Sequence, residues 1–140
     1  VEADLARDYA ARATAAGRAL GLGPVDIVEV EAKKPGKAAE AEVLRAAIGD
    51  AWLICCDEHG ETLPSRAFAA RIGKLRDDGV RKLVLVIGGA DGIDPALLKE
   101  AKSTLAFGVP TWPHALARAM LAEQVYRAAS ILAGSPYHRD

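Results

Sequence analysis

The sequence lacks several features that mark whole classes of protein. No apolar run approaches the roughly 18–20 residues that a membrane-spanning helix needs, and no signal peptide is visible. Neither sign of charge is in excess, because 18 basic residues face 19 acidic ones and the net charge is −1. This balance excludes a cationic nucleic-acid clamp of the histone type. A nucleic-acid partner would need a local basic patch instead.

Cysteine is also scarce. The two cysteines, Cys55 and Cys56, are adjacent in an apolar run. Neighbouring side chains on a strand point to opposite faces, so a disulfide between them is geometrically unfavourable. We therefore expect reduced, buried thiols, as in a cytosolic protein. A thiolate nucleophile is disfavoured in such apolar surroundings.

What the sequence does contain suits one compact core. Its 140 residues are 51% hydrophobic, which fits a single domain of ordinary size. Helical patterns cover residues 2–20, 38–48, 65–77 and 115–133, and strand patterns cover residues 25–30, 52–56, 83–87 and 104–109. This alternation predicts a single α/β domain over residues 1–140, with a mostly parallel sheet and helices on both faces.

A glycine-rich segment follows the strongest strand pattern. Residues 88–92 read GGADG, and Asp94 with Pro95 then predicts the cap and first position of a helix. Ligands bind at this end of the strands in open α/β sheets. The segment is neither a Walker A loop nor a dinucleotide-binding fingerprint, since the lysine and the glycine spacing differ. A tight turn without a ligand remains the alternative.

A second polar segment, Asp57-Glu58-His59-Gly60, follows the strand pattern at residues 52–56. Two carboxylates and a histidine suggest a metal site, but further ligands would have to converge there and the chain has only three histidines. We therefore predict an exposed loop and no metal.

The last predicted helix carries an apolar face with polar interruptions. The apolar face consists of Met120, Leu121, Val125, Ala128 and Leu132. Glu123 and Arg127 have i,i+4 spacing, which is typical of an ion pair on one helix face. The tail that follows carries Tyr137, His138 and Arg139, whose rings and guanidinium could stack on a base and hold a phosphate. A frayed terminus is the alternative.

Four of these segments, in this order, resemble the RlmH (YbeA-like) family of SPOUT-class RNA methyltransferases. They are residues 85–92 (LVIGGADG), 113–114 (PH), 122–128 (AEQVYRA) and 136–140 (PYHRD). The glycine loop alone is a weak signal, but the four at these separations are specific. The resemblance covers nearly the whole chain.

The resemblance implies an α/β fold with a C-terminal trefoil knot, a homodimer, and S-adenosyl-L-methionine as methyl donor. It implies that the product is N3-methylpseudouridine in large-subunit (23S) ribosomal RNA, made on assembled ribosomes in the cytoplasm. It also implies a set of cofactor-binding residues: Cys56, Gly88, Gly89, Gly92, Phe107, Gly108, Val109, Pro110, Thr111 and Trp112. The residues it places at the catalytic face are His114, Glu123, Arg127, Tyr137, His138 and Arg139.

The chain departs from the family pattern at two places. The family opens with a short parallel strand before the first helix, and we expect this strand to be missing here, which would expose a sheet edge. Ser135 stands before Pro136 where many relatives have histidine, so no role is carried over to that position.

Catalysis by such a protein is expected to depend on proximity and orientation, because the sulfonium methyl is already electrophilic. Arg127 and the tail residues would hold the RNA and favour the N3 anion, with His138 as a possible proton acceptor. In a dimer, Lys33, Lys34, Lys37, Arg118, Arg127 and Arg139 could build a composite basic surface.

Two other functions fit parts of the sequence. A non-catalytic dimeric module that binds the cofactor or the ribosome would keep the glycine loop and the last helix, but would not need the Tyr137-His138-Arg139 tail. A flavodoxin-like phosphoacceptor domain would need clustered carboxylates at the strand ends, where only Asp57 and Glu58 are available.

Overall fold

The computed structural model describes residues 1–89, 91–108 and 113–140, with only the backbone of His114. The helices are α1 (Glu2–Gly17), continued by a 3-10 turn (Arg18–Leu20), α2 (Lys37–Ile48), α3 (Ser65–Asp77), α4 (Pro95–Glu100) and α5 (His114–Leu132). The strands are β1 (Trp52–Glu61), β2 (Leu83–Ile87) and β3 (Ser103–Leu105). No described helix has the length and apolarity to cross a membrane.

The three described strands form one parallel sheet in the order β2-β1-β3. Trp52 pairs with Leu83 and Cys56 with Ile87, so β2 lies beside the first half of β1 in unbroken register. The prediction of a parallel sheet in an α/β fold is confirmed. The bounds predicted for β2 and α3 are those that the structure has.

One face of this sheet packs on helices. Leu53 and Cys55 point to the same side of β1 because side chains alternate along a strand, and Val86 of β2 lies beside them. Ala41 and Ile48 of α2, together with Ile93 and Leu97, complete this buried cluster. Cys55 is therefore fully buried, as the apolar run predicts, whereas Cys56, also expected to be buried, is half-buried.

The chain divides into two compact units, each made of alternating segments. The sheet unit consists of Val28–Thr62 and Arg81–His114, and the helical unit consists of Val1–Ile27, Leu63–Val80 and Ala115–Asp140. In the helical unit, small side chains allow close approach: Ala6 of α1 packs against Ala119 and Ala122 of α5. The single domain and the trefoil knot stay predictions.

The predicted strand over residues 25–30 is wrong. The segment has no regular secondary structure, and Ile27, Val28 and Val30 are exposed. Alternating apolar residues meet only one requirement of a strand, because the backbone must also pair with a neighbour. The ladders of the described sheet join β1 only with β2 and β3.

The predicted loop at residues 57–60 is also wrong, because β1 continues through it to Glu61. Leu105 pairs with Cys56 and again with Glu61, so the intervening residues form an irregularity in the ladder. The amide of Ala106 donates to the carbonyl of Glu61 at 2.9 Å. β3 is correspondingly short, at Ser103–Leu105, whereas the strand pattern predicts residues 104–109.

Gly60 makes this second pairing possible. A Cβ on Gly60 would lie 2.7 Å from the Leu105 nitrogen and 2.9 Å from the Thr104 carbonyl carbon. Both atoms are backbone and cannot rotate away. We expect Gly60→Ala to lower the free energy of unfolding by about 2 kcal/mol, measured by urea denaturation. The matched control is the neighbouring His59→Ala, an exposed position, with an expected change within about 0.5 kcal/mol. Equal stability of the two variants would contradict the pairing.

Candidate active site

The carboxyl ends of β2 and β3 flank the middle of β1 and bring three predicted cofactor segments together in the sheet unit. Cys56 pairs with Ile87 on one side and with Leu105 on the other. Gly88 and Gly89 follow Ile87 directly, and Phe107 and Gly108 come just after Leu105. Parallel strands place these ends at one edge of the sheet, where open α/β sheets bind ligands.

The glycine loop after β2 is tightly folded. The amide of Gly92 donates to the carbonyl of Gly89 at 3.0 Å, and the two residues form an isolated antiparallel bridge. Gly92 has φ +81, a left-handed conformation that glycine adopts without strain. A Cβ on Gly88 would lie 2.7 Å from Ile93 Cγ1 and 2.8 Å from the Gly92 carbonyl carbon. These close approaches require glycine at position 88.

The helix that follows begins as the sequence predicts. The Asp94 carboxylate accepts a hydrogen bond from the Ala96 amide at 2.9 Å, and Pro95 occupies the first turn. This cap fixes where the glycine loop ends.

The two thiols are free and remain protonated at neutral pH. Burial raises the pKa of Cys56 to about 12 and, aided by the Asp57 charge, the pKa of Cys55 to about 11. Neither group is a thiolate nucleophile, in agreement with the sequence analysis. Cys56 lies in the middle of β1, level with the end of β2, and its neutral thiol adds no charge there.

A second group of predicted residues assembles in the helical unit around Arg127. Its guanidinium donates to one Glu123 oxygen, Oε1, at 2.8 Å from Nε and 2.6 Å from Nη2. Both side chains lie one turn apart on α5 and are largely buried, with exposures of 24% for Arg127 and 19% for Glu123. The predicted i,i+4 ion pair is thus present and well shielded from solvent.

The tail docks on this pair, so the alternative of a frayed terminus is wrong. Arg127 Nη1 lies 3.0 Å from His138 Nδ1, and His138 Nε2 lies 3.1 Å from Asp140 Oδ1. A guanidinium can only donate, so Nδ1 accepts and the ring proton is on Nε2, facing Asp140. Arg66 of α3 donates to Asp140 at 2.6 Å. That hydrogen bond lowers the pKa of Asp140 below its ordinary value, so the carboxylate stays ionised.

Tyr137 fills the space beside the ion pair. Its hydroxyl donates to Glu123 Oε1 at 3.2 Å, and the Arg127 guanidinium lies 4.9 Å from its ring centre. Its ring meets Tyr126 edge-on, with the centres 4.6 Å apart. Burial, together with the hydrogen bond to Tyr9 and the Glu123 charge, raises the pKa of Tyr137 far above 10. The phenol therefore remains a hydrogen-bond donor.

The comparisons with known proteins decide the family. Residues 1–138 match the family described as "Predicted SPOUT methyltransferase". A Caulobacter sp. (strain K31) protein named ribosomal RNA large subunit methyltransferase H is 73% identical over 140 residues, covering 100% of this chain and 91% of the relative.

Two further relatives bear the same name. The chain is 70% identical over 140 residues to the protein of Caulobacter vibrioides (100% and 90% covered). It is 71% identical over 139 residues to that of Phenylobacterium zucineum (99% and 90% covered). The chain belongs to the SPOUT methyltransferase family. The resemblance to its RlmH group is confirmed.

The structure describes most of the residues that the SPOUT resemblance implies. It brings Cys56, Gly88 and Gly89 to one sheet edge, and it joins the four residues Glu123, Arg127, Tyr137 and His138 by the contacts above. Arg139 is exposed beside His138 in the tail. Val109, Pro110, Thr111, Trp112 and the side chain of His114 lie outside the described residues.

The sequence analysis did not predict the residues that hold the C-terminal tail in place. Arg66 and Asp140 hold His138, and Tyr9 contacts Tyr137. Asp140 belongs to the PYHRD ending, so its position was a usable signal. Arg66 gave none, because it meets Asp140 across 74 residues of sequence. Among the described residues no group of three or more His, Cys, Asp and Glu could hold a metal ion.

Proposed function

We propose that this chain transfers a methyl group from S-adenosylmethionine to N3 of a pseudouridine in large-subunit ribosomal RNA, acting as a homodimer on assembled ribosomes in the cytoplasm. The observation that carries the proposal is the docked tail. It surrounds one guanidinium, Arg127, with groups that orient it, in a chain whose relatives are named large-subunit rRNA methyltransferases.

The sheet edge suits the cofactor, the methyl donor that SPOUT methyltransferases generally use. Gly88 packs so closely on Ile93 and the Gly92 backbone that no Cβ fits there, and the half-buried Gly88 and Gly89 keep part of their surface open to a ligand. Cys56 adds a protonated thiol from β1, where it pairs with Ile87. These residues, with Phe107 and Gly108, would hold the cofactor, which supplies an electrophilic methyl group on a sulfonium.

Arg127 is proposed to stabilise the anion that forms when the base loses its N3 proton to solvent water, before N3 takes the methyl group and the donor leaves as the neutral thioether. A guanidinium is always charged and presents several donors in a fixed plane. Charge stabilisation is strongest where donors are already oriented and water is limited. Glu123 and His138 hold Arg127 from two sides, and Tyr137 shields it.

His138 is proposed to position Arg127 and not to remove the N3 proton itself. Its Nδ1 already accepts from Arg127, and its Nε2–H donates to Asp140. Accepting a proton at Nδ1 would place two cationic groups in contact. His138→Ala should therefore lower the methyl-transfer rate and leave the shape of its pH profile unchanged, and a changed pH profile would support the base role instead.

The RNA surface is proposed to be shared between two copies of the chain. Lys33, Lys34 and Lys37 are exposed around the N-terminus of α2, and Arg139 is exposed in the tail. One copy has a net charge of only −1, which does not favour RNA without local clustering. Phosphate contacts predict that binding falls steeply with salt, and that naked RNA binds weakly at moderate salt.

The deciding experiment measures transfer of labelled methyl from S-adenosylmethionine to ribosomes, isolated subunits and free rRNA, taken from cells that lack this modification. We expect label on large-subunit RNA in assembled ribosomes, and mass spectrometry of the digested nucleosides should identify N3-methylpseudouridine. Label on free RNA alone would contradict the ribosome preference. Cofactor binding without transfer to any substrate would favour the non-catalytic module, which the docked tail disfavours.

A further inference from the structure

A side chain outside the predicted site reaches the glycine loop. Glu40, in the first turn of α2, accepts a hydrogen bond at Oε1 from the Gly89 amide, with a nitrogen–oxygen distance of 3.0 Å. The two residues are 49 positions apart in sequence and both belong to the sheet unit. Glu40 is half-buried, so its carboxylate is partly shielded from water.

The contact also occupies the space beside the Gly89 Cα. A Cβ on Gly89 would lie 2.7 Å from Glu40 Oε2 and 3.5 Å from its Cδ. Gly89 is not among the glycines with positive φ, so its backbone conformation is open to alanine. The carboxylate of Glu40 is the group that a side chain at position 89 would have to displace.

Glu40 completes the hydrogen bonding of Gly89. The Gly89 carbonyl accepts a hydrogen bond from the Gly92 amide within the loop, and the Gly89 amide donates one to Glu40 on α2. Hydrogen bonds to an ionised carboxylate are stronger than bonds between neutral groups. Without Glu40 the loop would keep its internal bond but lose this attachment to α2.

We propose that Glu40 is a positioning residue for the cofactor site, acting through Gly89. The inference rests on the proposed function, because it takes the glycine loop to be where S-adenosylmethionine binds. Glu40 fixes the orientation of the Gly89 peptide and so raises the fraction of molecules whose loop is ready to bind. When only a fraction of the molecules has the loop conformation that binds the ligand, the apparent affinity falls in proportion to that fraction.

Three single variants test the proposal by two independent readouts. One readout is hydrogen exchange of the Gly89 amide by NMR, and the other is S-adenosylmethionine affinity by calorimetry. We expect Glu40→Ala to speed Gly89 exchange and to weaken cofactor binding, each by about tenfold. Glu40→Gln keeps an oxygen that can accept from Gly89, so both values should stay within about threefold of the wild-type protein.

The control is Glu42→Ala on the same helix. Glu42 is exposed and pairs with Arg45, which keeps its second partner Glu100. This variant should change neither readout. All three variants should keep the thermal transition of the wild-type protein within a few degrees, so a loss of binding would not be due to unfolding.

A double substitution tests whether a side chain at position 89 weakens cofactor binding by removing the Glu40–Gly89 contact or in some other way. Gly89→Ala should displace the Glu40 carboxylate, whose end can rotate away, and weaken binding about as much as Glu40→Ala. The double variant Glu40→Ala/Gly89→Ala should then be no weaker than either single one, since both remove the same interaction. Additive losses would overturn the proposal.

Three other outcomes would contradict the Glu40–Gly89 contact, its positioning role or the proposed function. Unchanged Gly89 exchange in Glu40→Ala would overturn the contact, and faster exchange with unchanged cofactor affinity would overturn its positioning role. If the wild-type chain does not bind S-adenosylmethionine while Glu40 still protects the Gly89 amide, the proposed function fails and the contact stands.

Discussion

Replacing Arg127 by alanine is expected to lower the rate constant of methyl transfer to ribosomes by at least about 100-fold, the effect of removing one preorganised donor from an anion. Arg127 is the guanidinium that Glu123 and His138 hold in place, next to the protonated phenol of Tyr137. The cofactor affinity should change by less than about twofold, because the contacts described for Arg127 are with Glu123, Tyr137 and His138 and not with the glycine loop. Single-turnover transfer and calorimetry measure the two quantities separately.

Two further variants make this prediction specific. Arg127→Lys keeps one charge but cannot donate to Glu123 and His138 in the same plane, so it should recover only part of the lost rate. Arg7→Ala removes an exposed charge of α1 that pairs with Asp4, and should leave the rate unchanged. A rate for Arg127→Ala within about threefold of the wild-type protein would contradict the anion-stabilising role.

Local signals predicted the parts of the fold that local chemistry determines. The apolar run of β2 and the bounded helical pattern of α3 gave correct bounds, and Asp94-Pro95 gave the start of α4. Residues 25–30 have the right alternation but no ladder in the described sheet, because strand formation depends on a neighbour. Asp57 to Gly60 are too polar to predict a strand, yet the Leu105 backbone passes close to Gly60 and pairs with Glu61.

The candidate site likewise contains residues that the sequence predicts and residues that it does not. The Glu123–Arg127 pair follows from helix periodicity, and Tyr137 and His138 were found through the family motif. Arg66 and Glu40 were not found, because they act over 74 and 49 residues of sequence and only the folded chain brings them to Asp140 and Gly89. Long-range polar contacts of this kind leave no periodic pattern in one sequence.

The second large effect is expected at Gly88. A Cβ there would lie 2.7 Å from Ile93 Cγ1 and 2.8 Å from the Gly92 carbonyl carbon. Because the Gly92 atom is backbone, relief requires the whole loop to move. We expect Gly88→Ala to weaken S-adenosylmethionine binding at least about 100-fold, the loss that follows when the binding-competent loop is populated in only about 1% of molecules. Calorimetry measures this loss.

The neighbouring glycine supplies the internal control. An alanine at Gly89 meets only the end of the flexible Glu40 side chain, so its loss of affinity should be about tenfold smaller than that of Gly88→Ala. Ile93→Ala in the Gly88→Ala background removes the side-chain clash but not the backbone clash with Gly92, and should therefore restore little binding. Equal affinities for Gly88→Ala and Gly89→Ala would contradict a site built on the loop backbone, since the two positions differ in what a side chain meets.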